Sequence, residues 1–106
     1  MKKRFWAALA AGLAAVTVCY AAATQTVDQR GLAFSVSTLT IAKGSVIQFN
    51  NHDETAHNIL IQGAGGTING GLQQPGEAFR APFMKAGVYQ ITCGIHPRMK
   101  LTVTVQ

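Results

Sequence analysis

Seven consecutive residues, Cys93-Gly94-Ile95-His96-Pro97-Arg98-Met99, set a thiol, an imidazole and a thioether at C-x-x-H-x-x-M spacing. One tight loop can hold three donors that close together around a single ion. His57 offers a second imidazole from a separate apolar run, His57-Asn58-Ile59-Leu60-Ile61, as a neighbouring strand would. A thiolate, two imidazoles and a weak axial thioether suit a copper ion that cycles between Cu(I) and Cu(II). The two oxidation states prefer different geometries, and a trigonal Cys-His-His plane with a distant Met is tolerated by both. On a rigid frame such a donor set changes little when an electron arrives or leaves. Cys93 is expected to bind as the thiolate, His57 and His96 each through one ring nitrogen, and Met99 as the axial donor that tunes the potential.

Two further residues are expected to support the loop. Pro97 stiffens it by fixing φ beside His96, and Asn58 is placed to brace it by bonding the backbone near Cys93. Taken singly, each donor has an ordinary explanation. A His in an apolar strand is a core residue, a Met fills gaps, and a lone Cys is simply buried. Their conjunction in one compact loop between two apolar runs makes a metal the better reading. His52, in the polar stretch 50–54, and Met84, after Pro82-Phe83, are expected at the surface and not on the ion.

The elements that must position these residues occupy only part of the chain. Of 106 residues, the first 23 read as a secretory leader: Lys2, Lys3 and Arg4, an uncharged Ala-rich run, and small residues at Ala21 and Ala23. Cleavage is expected after Ala23, leaving residues 24–106 as one small domain in an oxidising, periplasmic setting. The alternatives are an uncleaved membrane anchor, since the uncharged run reaches Val27, and lipid attachment at Cys19. Val18 stands before Cys19, where a small residue belongs, and the alanines favour cleavage. With the leader gone, the net charge falls from +5 to +2, and the remaining bases are scattered without an aromatic platform. Nucleic-acid binding is excluded on that pattern. Cys93 becomes the only thiol, unable to form an internal disulfide and in need of an occupation such as a metal.

After the leader no segment has a helical period. Short alternating runs separated by Gly, Pro and Asn predict strands near Val27, at 33–36, 39–41, 46–49, 57–61, 77–80, 88–92 and 101–105. The run 57–61 is apolar on both faces, as in an inner strand. Residues 63–71 hold five glycines and lack the ending of a phosphate loop, so a flexible connector is expected there. Seven or eight strands without helices predict an all-β Greek-key sandwich, with the 93–99 loop joining its last two strands.

The chain resembles the cupredoxins, the plastocyanin/azurin family of type 1 copper proteins, from about Phe34 to the C-terminus. The resemblance rests on Leu39-Thr40-Ile41-Ala42-Lys43-Gly44, Phe49-Asn50, the His57-Asn58 pair and the Cys93–Met99 loop, whose short spacing is most similar to amicyanin-like members. It implies an eight-stranded sandwich with one copper ion near one end. It also implies that His96 reaches the surface through an apolar patch including Pro97, where a redox partner docks transiently. The expected function is single-electron carriage between redox proteins, a dehydrogenase or oxidase and a cytochrome, by a monomer that is not an enzyme. The alternative is a periplasmic copper carrier or storage protein, which usually has a more open or Met-rich site. A third class, a Cys93–His96 nucleophile pair, lacks an orienting acid nearby in sequence.

Overall fold

The computed structural model describes residues 21–106; residues 1–20 of the expected leader, Cys19 among them, lie outside the described residues. Among the described residues eight strands follow one another without a helix: β1 (Thr24–Gln29), β2 (Thr38–Ile41), β3 (Ser45–Asn51), β4 (His57–Gly63), β5 (Gly66–Gln73), β6 (Ala78–Phe83), β7 (Gly87–Cys93) and β8 (Lys100–Val105). They form a three-stranded sheet in the order β1-β3-β6 and a five-stranded sheet in the order β2-β8-β7-β4-β5. The β1–β3 and β2–β8 pairs are parallel, and the others antiparallel.

Alternation decides which side chains enter the space between the sheets, because successive residues of a strand face opposite ways. In β3, Ile47 and Phe49 are buried in phase with Ser45 and Asn51. In β8, Leu101, Val103 and Val105 are buried. Burial in β7 runs through Tyr89 and Ile91 to Cys93, so the thiol is the last core-facing residue of its strand. In β4 the core-facing residues are His57, Ile59 and Ile61. Ile59 pairs with Cys93 across β4 and β7. His57, the next residue on that face, therefore overhangs the end of β7 where the sulfur lies. Pro82 is tolerated within β6 because β6 is the edge of its sheet.

Two expectations are corrected. Residues 33–36 do not form a strand; Phe34 makes a single bridge to Gln29. Gly31 and Leu32 both adopt left-handed backbone, φ 65° and 57°, and turn the chain back on β1. Nor are residues 63–71 a flexible connector. After a turn at 64–65, they run into β5, which pairs with β4 over most of its length. The pairing slips between Asn58 and Leu60: Asn58 faces Leu72 while Leu60 faces Asn69, so β5 carries one extra residue. The glycines serve this geometry. Gly71 has φ 77°, and a Cβ on Gly70 would stand 3.0 Å from the Phe79 ring.

Candidate metal centre

The polar loop between β3 and β4 and the end of β7 fix the first two donors. His57 is fully buried. Its Nδ1 lies 3.6 Å from Cys93 Sγ, and its Nε2 lies 2.8 Å from Asp53 Oδ2. A carboxylate at Nε2 holds the ring proton there and leaves the Nδ1 lone pair toward the sulfur. Asp53 also accepts the backbone N–H groups of Gly31 and Leu32, the residues of the left-handed turn. Burial pushes the Asp53 carboxyl up. The hydrogen bond from His57 and those from the two amides more than reverse this, holding it below its ordinary value. Cys93 is a free thiol, 1% exposed. Its sulfur accepts the Asn58 backbone N–H at 3.2 Å, and Gly94 N donates to Asn58 O at 2.9 Å.

The 93–99 loop closes by a hydrogen bond from Met99 N to His96 O, 3.0 Å, and leaves the Met99 side chain buried. His96 is half-buried, its ring centroid 5.2 Å from that of His57 with the planes at 74°. His96 Nε2 is buried with no hydrogen-bond partner. Outside it lies a shallow depression of about 310 Å³ lined by Leu32, Ile95, His96, Pro97 and Arg98. Leu32 and Ile95 are each about half exposed.

The geometry thus joins His57 to Cys93, sets His96 beside the His57 ring, and buries Met99 at the loop's end. Among the described residues no three His, Cys, Asp or Glu side chains converge on one point. A buried thiol, an imidazole nitrogen facing it, an orphaned buried imidazole nitrogen and a buried thioether nevertheless form a donor set with a copper ion's preferences. Asn58 meets the loop through its own backbone, at Cys93 Sγ and the Gly94 N–H; its side-chain amide bonds Asn69 Oδ1 and Gly71 O on β5, each at 2.8 Å. His52 is exposed and bonds Asp28, and Met84 is exposed.

Sequence reasoning missed Asp53, Asn69 and Leu32. For Asp53 a signal existed, an acid four residues before a candidate ligand. The structure also supplies the orienting acid that a nucleophile reading lacked, in the chain Cys93–His57–Asp53. In that chain Cys93 is 1% exposed and its sulfur already accepts the Asn58 amide.

The model of the copper binding proteins of the plastocyanin/azurin family matches residues 21–106. Among solved structures, an oxidised proline-to-alanine variant of amicyanin is 24% identical, covering 78% of this chain and 82% of that chain, with a TM-score of 0.73. A reduced tryptophan-to-tyrosine variant of amicyanin is 26% identical, covering 88% of this chain and 90% of that one, with a TM-score of 0.72. The Cu(I) form of a methionine-to-alanine variant of amicyanin is 25% identical over the same shares, again with a TM-score of 0.72. The eight strands in two sheets are the cupredoxin fold of those structures. With the family match spanning every strand described above, the chain belongs to the plastocyanin/azurin family of copper binding proteins, and copper is its cofactor.

Proposed function

We propose that this copper-binding electron-transfer protein carries single electrons between exported redox proteins, with one ion held by His57, Cys93, His96 and Met99. The observation that carries the reading is the sealed Cys93 sulfur, 3.6 Å from His57 Nδ1, with His96 and Met99 on the loop that leaves it. Copper supplies the one-electron step by alternating between Cu(I) and Cu(II). The protein's own residues do the rest. Asp53 keeps the His57 proton on Nε2, so that Nδ1 is the free donor. The Asn58 N–H disperses charge on the Cys93 thiolate, and the buried His57 and Met99 keep water out. Pro97 limits the motion of His96.

His96 is the donor nearest the surface, and the apolar rim of Leu32, Ile95 and Pro97 with the cation of Arg98 is where a partner docks. A face this small suits short encounters with a dehydrogenase or oxidase on one side and a cytochrome on the other. Export to the periplasm with cleavage after Ala23 belongs to this reading and rests on the leader pattern of Lys2, Lys3 and Arg4, the Ala-rich run, and Ala21 and Ala23.

The test is an optical spectrum of residues 24–106 after adding Cu(II), with Cys93→Ser as control. The expected result is an intense visible thiolate-to-copper band in the parent and none in the control. No band, with Cys93 still open to thiol reagents, overturns the reading. A band that a modest chelator removes within minutes favours copper carriage over electron transfer.

A further inference from the structure

Asn58 is gripped from two sides. Its backbone meets the metal centre, with N–H to Cys93 Sγ at 3.2 Å and C=O accepting from Gly94 at 2.9 Å. Its side-chain amide is held by β5: Nδ2 donates to Asn69 Oδ1 and to Gly71 O, both at 2.8 Å. Asn69 Oδ1 is itself fixed by the Gly71 N–H at 2.9 Å, so the acceptor is not free to turn away. On the loop side, a Cβ on Gly94 would collide with Asn58 Oδ1. The loop therefore passes close against this side chain while β5 holds it.

The grip depends on the irregularity in β5. Between the Asn58–Leu72 and Leu60–Asn69 pairs, β5 has one residue more than β4. At this irregularity both Asn69 Oδ1 and Gly71 O stand at the Asn58 amide. The extra residue is accommodated by Gly71 at φ 77° and by Gly70 pressed on the Phe79 ring. The glycines that look like a connector in the sequence are what lets this strand reach the residue beside the thiol.

We propose that Asn69 is a positioning residue of the copper site: by clasping the Asn58 side chain, it fixes the N–H···S hydrogen bond to Cys93 and through it the reduction potential. This rests on the copper reading above. A hydrogen bond to the sulfur withdraws charge from the thiolate and is one of the levers by which a protein tunes such a site. Loosening it leaves a more electron-rich sulfur that favours Cu(II). The potential then falls, and the thiolate-to-copper band moves to lower energy.

Asn69→Ala removes the clasp, and Asn69→Asp keeps an acceptor oxygen of the same reach. Thr67→Ala, at an exposed position of the same strand opposite Gln62, serves as control. Three quantities are read: exchange of the Asn58 amide proton in metal-free protein, the band energy and the reduction potential of the copper form. In Asn69→Ala the Asn58 proton is expected to exchange about tenfold faster, the loss of one hydrogen bond. The potential falls and the band shifts to the red. Asn69→Asp restores exchange and band position, its exposed charge being screened at physiological salt, and Thr67→Ala moves none of the three. Unchanged exchange, potential and band in Asn69→Ala, even with a lower melting temperature, overturn the proposal and leave Asn69 a merely structural residue. If the parent shows no thiolate band, the copper reading has failed. The exchange rate then decides the clasp by itself, and no acceleration in Asn69→Ala overturns it.

Discussion

Asp53 accepts three hydrogen bonds on two oxygens, one from the buried His57 ring and two from the amides of the Gly31–Leu32 turn. Asp53→Ala leaves the His57 N–H buried without an acceptor, which costs about 1–3 kcal/mol. Thermal unfolding of the metal-free protein is expected to show a clear fall in Tm, since roughly 1 kcal/mol moves a domain of this size by about 4–8 °C. Asp53→Asn falls between the parent and Asp53→Ala. The same carboxylate makes stability depend on pH. Its folded value lies below its unfolded one, so its contribution is fully present above the unfolded value of 3.8. It is lost as pH falls through the lower folded value. Metal-free parent is expected to lose stability over that acid range, and Asp53→Asn to lose less. The ligand candidates were legible in the sequence because donors of the right softness stood three residues apart. Asp53 and Asn69 were not. A carboxylate in a polar loop and an asparagine among glycines take their meaning only from what the fold brings to them, an imidazole nitrogen and an amide eleven residues away.

At the scale of elements, β4 and β7 matter most, and their far ends are separable from the site. Gly63 ends β4, and a Cβ there would come within 2.5 Å of the Tyr89 ring and 2.8 Å of Val88 O. Gly63→Ala is expected to cost about 1–3 kcal/mol by overpacking, read as a lower denaturation midpoint. The thiolate-to-copper band should stay unchanged, because His57 and Asn58 lie at the opposite end of the strand; a shifted band would mean that strain travels the length of β4. Strands with clean alternation, such as β3, β7 and β8, were readable because one face had to be apolar. Residues 33–36 carried the same alternation without a partner strand, and the left-handed turn at Gly31 and Leu32 diverts them. In β5 the error ran the other way. Glycine content spoke for a loop, while pairing to β4 on one edge supplied the backbone hydrogen bonds that side chains did not advertise.

For the molecule as a whole, the proposed copper ligands come from two separate stretches of chain, and a ligand that binds only the folded form stabilises it by mass action. Copper-loaded protein is expected to melt several degrees above the metal-free form, and a strong chelator to remove the difference. Equal melting points would mean that the ion binds the folded and unfolded chain alike. The sandwich class was readable from strand spacing and the lack of helical periods. The strand order was not, because pairing is settled by contacts between residues far apart in sequence. That order has a consequence in time. In β2-β8-β7-β4-β5 the two strands latest in sequence, β7 and β8, lie between β2 and β4. A chain emerging from its N-terminus completes β2 and the β4–β5 hairpin early, yet these join one sheet only through β7 and β8. Three of the four candidate donors arrive on that same late stretch. A partial chain thus offers His57 alone of the candidate donors, held only by the β4–β5 hairpin. Completing β7 and β8 and becoming competent to bind are one event.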